Sequence, residues 1–377
     1  MKRPVGFRPM IPRGVQCYFG EEVNRRRKAE AVLAGIMKSW SFQEIILPFF
    51  DYLEDFSYGL GSQSGDRVYR FLDRDGSLLA LRPDLTTLVA KTVATRMTDH
   101  SLPIKLFYSG EVFRQERAGA DRQKEFYQIG LESIGASDTW ADIEALLLAV
   151  DSLLHLGIQD FKIALGNVGF FAGIVAGLNL SGERADALRN AIDHKDCAWL
   201  QKEVEGLNLS AEKREFLIQL PNYSGGREVL DQALAVVQNP RSRDALARLA
   251  EIQSVIEALE LSDFLAFDLA EVRGLDYYTG IVFKFYSRSS GFELGGGGRY
   301  DSLLSKFGWD LPAVGFSFTL DRLLPLIHDV DSLSLPAQDG EELVVATERV
   351  TLPELFRQVW DLRQQGLPVR LGRGPRC

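Results

Sequence analysis

Cysteine is scarce in this chain: Cys17, Cys197 and Cys377 are three residues at wide spacing. An odd, scattered set builds neither a disulfide framework nor a thiolate metal site, so these thiols are read as incidental or structural. Histidine is nearly as sparse. His100, His155, His194 and His328 fall in different expected elements without paired ligand spacing, and no metal is expected. No run approaches the ~20 apolar residues of a membrane span, and Lys2, Arg3 and Arg8 precede no apolar stretch. A cytoplasmic protein that does not engage a membrane is expected. There is no Gly-x-Ser-x-Gly elbow for a nucleophilic serine. The run Gly295 to Gly298 is neither a dinucleotide fingerprint nor a P-loop, and alone it signals only a tight turn or a close backbone approach. An excess of basic charge is missing too: 43 Lys and Arg stand against 52 Asp and Glu, net −9. That argues against a dominant nucleic-acid surface, because phosphate neutralisation needs clustered cations.

What is present is an ordinary globular composition, 46% hydrophobic and 25% charged over 377 residues, enough for one large core and one or two smaller ones. The densest basic cluster, Arg25 to Lys28, opens an amphipathic helix. Its apolar stripe Ala29, Val32, Leu33, Ile36, Met37 and Trp40 leaves the cations mostly on the solvated side, with an RNA patch as the alternative. Glu44 to Pro48 reads as a short strand closed by proline. Asp73-Arg74-Asp75-Gly76 has the chemistry of a hairpin turn. A helix is expected after Arg82-Pro83-Asp84, capped near Asp84 or Thr86, then strand, loop and strand from Ile104 to Ile134. From 170 to 261 the strand signal gives way to helix-forming composition. Strands return before a helix from Asp301, a strand from Ala313 and a helix from Leu320; Leu343 to Ala346 and Leu352 to Arg363 read as strand and helix. The fold class is therefore α+β, with a domain split into 1–169 and 262–330 around a helical insertion, 170–261. A linker at Pro336 to Gly340 and a small α/β appendix make up 331–377.

The strongest physical site signal is Phe126 to Glu132. Alternation along a strand puts Gln128, Gly130 and Glu132 on one face and Tyr127, Ile129 and Leu131 on the other. An amide, a vacancy and a carboxylate in a row suit a small polar ligand with an ammonium or ring N–H, and Arg114 on the partner strand suits a carboxylate or phosphate. A solvent-facing sheet with an Arg–Glu pair across it fits the same pattern.

Several peptides carry a family resemblance. Val272-Arg273-Gly274-Leu275-Asp276-Tyr277-Tyr278 and Gly295-Gly296-Gly297-Gly298-Arg299-Tyr300-Asp301 resemble the two signature peptides of the histidine pocket in histidyl-tRNA synthetases. Phe113 to Arg117 and Ala313 to Leu323 resemble motifs 2 and 3 of the class II aminoacyl-tRNA synthetases, Glu44 to Pro48 with its helix resembles the dimerising motif 1, and Leu81 to Thr86 is similar to the loop holding the amino acid's α-amino group. The resemblance spans roughly residues 10–330. It implies an antiparallel sheet flanked by helices and a histidine site of Asp84, Thr86, Arg114, Gln128, Glu132, Arg273, Tyr277 and Tyr278, with Arg114 and Arg322 as vestigial ATP contacts. A buried Arg273–Asp276 ion pair is the bland alternative for Arg273.

Within this family two kinds of protein fit: the synthetase, or a free-standing histidine-activating enzyme, and a synthetase-like paralogue, the regulatory subunit of ATP phosphoribosyltransferase. Departures from the synthetase pattern favour the paralogue. Asp84 stands for glutamate, Leu85 for glycine, Asp321 for the glutamate before Arg322, and Lys284 for an acidic residue; Ala118-Gly119-Ala120-Asp121 and Lys124-Glu125-Phe126 replace the usual motif 2 loop. Residues 331–377 are too few for the anticodon domain of a synthetase, so tRNA is not expected as a partner. The paralogue reading implies no catalytic residues and no cofactor, a homodimer within a hetero-oligomer, the short-form ATP phosphoribosyltransferase catalytic subunit as partner, and L-histidine as ligand.

Overall fold

The computed structural model describes residues 11–60, 68–115, 123–178, 180–207, 209–271, 277–336, 343–346 and 350–372. In chain order the elements are α1 (Glu21–Ser39), β1 (Gln43–Glu44), β2 (Phe50–Tyr52), α2 (Leu53–Leu60), β3 (Arg70–Leu72), β4 (Leu78–Leu81), α3 (Thr86–Arg96), β5 (Ile104–Phe113), β6 (Glu125–Ile134), α4 (Thr139–His155) and β7 (Phe161–Asn167). There follow α5 (Val168–Leu178), α6 (Gly182–Asp193), α7 (Cys197–Glu205), α8 (Ala211–Gln219), β8 (Ser224–Gly225), α9 (Arg227–Val236) and α10 (Pro240–Ala258). The last are β9 (Leu265–Asp268), β10 (Ile281–Ser287), β11 (Glu293–Arg299), β12 (Ala313–Thr319), α11 (Leu320–Leu323), β13 (Leu343–Ala346), α12 (Leu352–Gln364) and β14 (Val369–Gly372).

Among the described residues a nine-stranded sheet runs β1-β5-β6-β12-β11-β10-β7-β9-β8. It is antiparallel except where β1 joins β5 and β7 joins β9. Helices α1 and α4 cover one face: the predicted stripe from Ala29 to Trp40 is buried against Phe107, Ile129 and Leu131 in one cluster with α4. The other face carries a second cluster in which Leu85, Leu88 and Val89 of the α3 region pack on Leu106, Tyr108 and Tyr300. The 170–261 stretch is mainly helical, and its apolar side chains belong to the same cluster as the sheet. Helix α12 packs on α10 and sends Arg363 into the core, its guanidinium carbon 3.2 Å from the centre of the Trp40 ring.

Several expectations need correction. The strand expected at Glu44 to Pro48 ends at Glu44: Ile45 still donates to the Phe107 carbonyl at 2.9 Å, then the chain turns outward and leaves Ile46 91% exposed. The expected helix from Asp301 is a turn followed by a short 3-10 segment, Leu304–Phe307, and β14 was unforeseen. The basic cluster is only partly a solvated face: the Arg27 side chain is 71% exposed and pairs with Glu30, but the others are engaged. Arg26 pairs with Asp321 at 2.5 Å and stacks on Tyr18, Arg25 donates to the carbonyls of Leu324 and Ile327, and Lys28 donates to that of Asp331. A charge pattern reveals a polar helix face but not the distant carbonyls that will cover it.

The glycine run is a strand, β11, rather than a turn, and none of its four glycines has a positive φ. Close approach explains them. A Cβ on Gly297 would overlap the Gly315 carbonyl and Phe316 of β12. Gly297→Ala should therefore pry β11 from β12 and cost about 3 kcal/mol in urea unfolding, the usual range for overpacking a tight core.

Candidate functional site

Strand β6 delivers its polar face to the floor of a cavity of about 430 Å³ whose lining includes Asp84, Thr86, Arg114, Gln128, Glu132, Tyr277, Tyr278 and Tyr300. The alternation read from the sequence holds: Ile129 and Leu131 enter the core, while Gln128 and Glu132 face the cavity at 8% and 1% exposure. The solvent-facing alternative is excluded by that burial. The apparent vacancy at Gly130 is occupied from the neighbouring strand. Tyr108, registered opposite Gly130 on β5, reaches across so that its hydroxyl donates to Glu132 Oε1 at 3.1 Å.

Glu132 collects three hydroxyls. Thr86, at the start of α3, donates to Oε1 at 2.7 Å, Tyr108 shares that oxygen, and Tyr300 donates to Oε2. Burial is the dominant effect on this carboxyl and pushes its pKa up to about 7, against the stabilising hydroxyls and with a smaller push from Asp84. The phenols of Tyr108 and Tyr300 are raised well above their ordinary value, by burial first and then by the charge of Glu132, so they remain donors.

Aromatic rings close the sides. Tyr277 meets Tyr300 edge-on at 5.4 Å and Tyr278 at 5.0 Å. The outer part of the cavity is cationic, with Arg114 and Arg322 on its wall; Arg114 Nε donates to the Pro83 carbonyl at 2.6 Å and Arg322 to that of Glu293 at 2.7 Å. Lys284 also lines it and is paired with Glu271 at 2.7 Å.

All the predicted site residues but one are thus brought to a single cavity. Arg273, together with the motif 2 loop from Ala118 to Asp121, lies outside the described residues, as does the suggested Arg273–Asp276 pair. The capping expected near Asp84 holds: its carboxylate accepts from the Thr87 N–H at 2.8 Å, while Leu85, which stands for glycine in the family pattern, does not line the cavity but is buried in the second apolar cluster. Burial raises the Asp84 pKa, opposed by this bond and by Arg114. Tyr108 and Tyr300 were missed as site residues. The signal for Tyr108 was available in the same alternation: on β5 it falls on the face of Leu106 and Gly110, opposite Glu132 and Gln128. Among the described residues no group of His, Cys, Asp and Glu is arranged to hold a metal ion, and no helix is long and apolar enough to cross a membrane.

A family model described as histidyl-tRNA synthetase matches residues 14–323. The histidyl-tRNA synthetase of Nostoc sp. PCC 7120 shares the fold, with a TM-score of 0.68 at 23% identity, covering 100% of this chain and 86% of that one. The architecture is that of the class II synthetases, in its histidyl form. The crystal structure of an ATP phosphoribosyltransferase regulatory subunit/histidyl-tRNA synthetase from Bacillus halodurans C matches with a TM-score of 0.78 at 29% identity, over 98% of this chain and 94% of that one. The ATP phosphoribosyltransferase regulatory subunit of Syntrophotalea carbinolica is 39% identical over 359 residues, 95% of this chain and 83% of the relative. That of Desulforamulus reducens is 35% identical over 94% of this chain and 88% of the relative. The chain belongs to the family of ATP phosphoribosyltransferase regulatory subunits.

The Glu132 environment has a measurable consequence. A carboxyl whose pKa is raised on folding contributes stability that is present below its unfolded value, near ~4.3, and is lost as pH rises through the folded value. With the folded value at about 7, Glu132→Gln, which cannot ionise, should gain about 2–3 kcal/mol relative to the parent between pH 5 and pH 8. Urea unfolding of both proteins at the two pH values measures it; a constant difference would show that Glu132 ionises normally.

Proposed function

We propose that this chain is the non-catalytic regulatory subunit of a two-subunit ATP phosphoribosyltransferase in the cytoplasm. In this reading it joins the short-form catalytic subunit in a hetero-oligomer and binds free L-histidine in the cavity as the feedback signal for the first step of histidine biosynthesis. The observation that carries the ligand is Glu132: a buried carboxyl with a pKa of about 7, walled by tyrosines, is matched to an imidazole, which titrates near ~6.5 and offers a ring N–H. Gln128, Thr86 and Asp84 are available to the α-amino group, and Arg114, with Arg273 by the family resemblance, to the carboxylate.

Regulation requires that histidine bind one state of the assembly better than another, because equal affinity shifts nothing. Arg114 and Arg322 on the outer wall also support a second reading, a histidine-activating enzyme, since they could face a nucleotide phosphate in a cavity of this size. Histidine-dependent ATP–pyrophosphate exchange would favour that reading.

Self-association is supported by an apolar face beside β2 and β4, where Ile46, Phe49, Phe50, Leu72 and Leu78 are exposed together on neighbouring segments. Ile46→Glu should turn a dimer into a monomer in sedimentation, and an unchanged mass would place the interface elsewhere.

Added to a short-form catalytic subunit, the chain should raise phosphoribosyl transfer and make it inhibitable by histidine. Arg273→Ala should weaken histidine binding by at least about tenfold in calorimetry while leaving assembly intact, because it removes a partner of the ligand carboxylate. If the mutant complex stays fully histidine-sensitive, sensing occurs on another surface.

A further inference from the structure

Behind the cavity, Asp142 at the first turn of α4 is completely buried between two arginines from distant segments. Arg299, at the end of β11, holds Oδ1 through Nε at 2.8 Å and Nη2 at 2.7 Å. Arg248, on α10, holds Oδ2 through Nε at 2.5 Å. Both arginines also grip the chain leaving β6, Arg299 on the Ala136 carbonyl at 3.0 Å and Arg248 on the Ser137 carbonyl at 2.9 Å.

The pocket's walls hang from the same corner. The Arg299 carbonyl accepts from the N–H of Thr279 at 2.8 Å, directly after Tyr277 and Tyr278. The next residue, Tyr300, is fixed by its N–H to the Ala313 carbonyl at 2.7 Å and gives its hydroxyl to Glu132. Three parts of the site, the exit of β6, the tyrosine pair and Tyr300, therefore meet at Arg299.

We propose that Arg248 is a positioning residue for the ligand cavity: by holding one oxygen of Asp142 it fixes Arg299, and through Arg299 it sets Tyr300 against Glu132. The inference rests on the histidine-site reading and extends that site to a residue of the helical stretch that never touches the cavity. With Arg248 removed, the guanidinium of Arg299, still held by Asp301 at 3.2 Å and by the Ala136 and Asp138 carbonyls at 3.0 and 3.4 Å, gains the second oxygen of Asp142 and shifts toward the preferred bidentate fork, drawing the Arg299–Tyr300 backbone with it. Arg299 itself is a poor probe, because its loss strips most of the charge partnership from a fully buried carboxylate. Arg248 is a good one: its side chain is 24% exposed, and Asp142 retains Arg299 when it goes.

The groups facing Glu132 are Asp84 and Thr86 at the start of α3, Tyr108 from β5, Tyr277 and Tyr278, and Tyr300; Arg114 stands further out on the wall. Of these, Tyr277, Tyr278 and Tyr300 hang from the Arg299 corner, and of those three Tyr300 is the one that donates to Glu132, beside Thr86 and Tyr108. Loosening its hydrogen bond removes a stabiliser of the ionised carboxylate, so the Glu132 midpoint moves upward.

The test is calorimetry with free L-histidine across pH 5.5 to 8.5, on the chain and its complex with the catalytic subunit, for the parent, Arg248→Met and Arg248→Lys. Arg248→Met should bind about threefold to tenfold more weakly, with the midpoint of its pH profile raised by about half a unit, and Arg248→Lys should recover part of both. A lower unfolding midpoint with unchanged affinity and pH profile would reduce Arg248 to a structural ion pair and overturn the proposal. Weaker binding with an unmoved pH midpoint would overturn it as well, since the route through Tyr300 would be wrong. If the parent binds no histidine, the histidine reading fails by itself. The positioning role is then read from urea unfolding, as the pH at which parent and Glu132→Gln diverge, with and without Arg248→Met; an unmoved pH overturns it.

Discussion

A carboxylate buried beneath the sheet's polar face is expensive unless several donors converge on it, and satisfying Glu132 shapes much of this structure. Thr86 comes from a helix start, Tyr108 from a neighbouring strand and Tyr300 from a strand end, so three segments remote in sequence must hold one register. The constraint reaches the backbone. A Cβ on Gly315 would overlap Glu132 Oε2 and the Leu131 carbonyl, so β12 lies against this carboxyl only as glycine. Even with three hydroxyls the balance stays close, which is why the group titrates near neutrality rather than as an ordinary glutamate.

The other side of β6 has its own polar anchor. Asp321 accepts from the N–H of Tyr127 at 2.8 Å and from the Tyr18 hydroxyl at 3.0 Å while pairing with Arg26 of α1. One carboxylate therefore ties the first helix, the entry to β6 and the α11 segment, and the departure from glutamate at this position is compatible with full engagement. The lysine at 284 is similarly absorbed, by Glu271. Arg25 and Lys28 of α1 extend the clamp through carbonyls of the 324–331 segment.

Sequence periodicity revealed what depends on local repetition. The apolar stripe of α1, the alternating faces of β6, the hairpin around Gly76 and the helical character of 170–261 all follow from spacing along one element. It was silent where partners come from far along the chain. Nothing in the run Arg25 to Lys28 indicates that residues some three hundred positions away will cover it, and nothing in four successive glycines distinguishes a turn from a strand squeezed between two others. The strand face of Tyr108 and the family peptide holding Tyr300 were legible, but the carboxyl their hydroxyls share appears only when strand order is known. The family resemblance supplied the pocket as a set and local cap chemistry pointed to Asp84, but neither showed that Leu85 would turn into the core.

These details bear on why such a scaffold serves as a regulator. Phosphoryl chemistry in this kind of cavity needs a divalent cation held by oxygen ligands beside the nucleotide. Here the outer wall presents Arg114, Arg322 and Lys284, and one of its acidic neighbours, Glu271, is paired with Lys284 through one oxygen. Glu293 remains on that wall, but burial raises its pKa, opposed by the adjacent cations. Cations at that distance repel a hydrated divalent ion and compete for the carboxylates it would need. At the floor, by contrast, three hydroxyls converge on one carboxyl, Glu132, so the two parts of the cavity favour ligand groups of different charge.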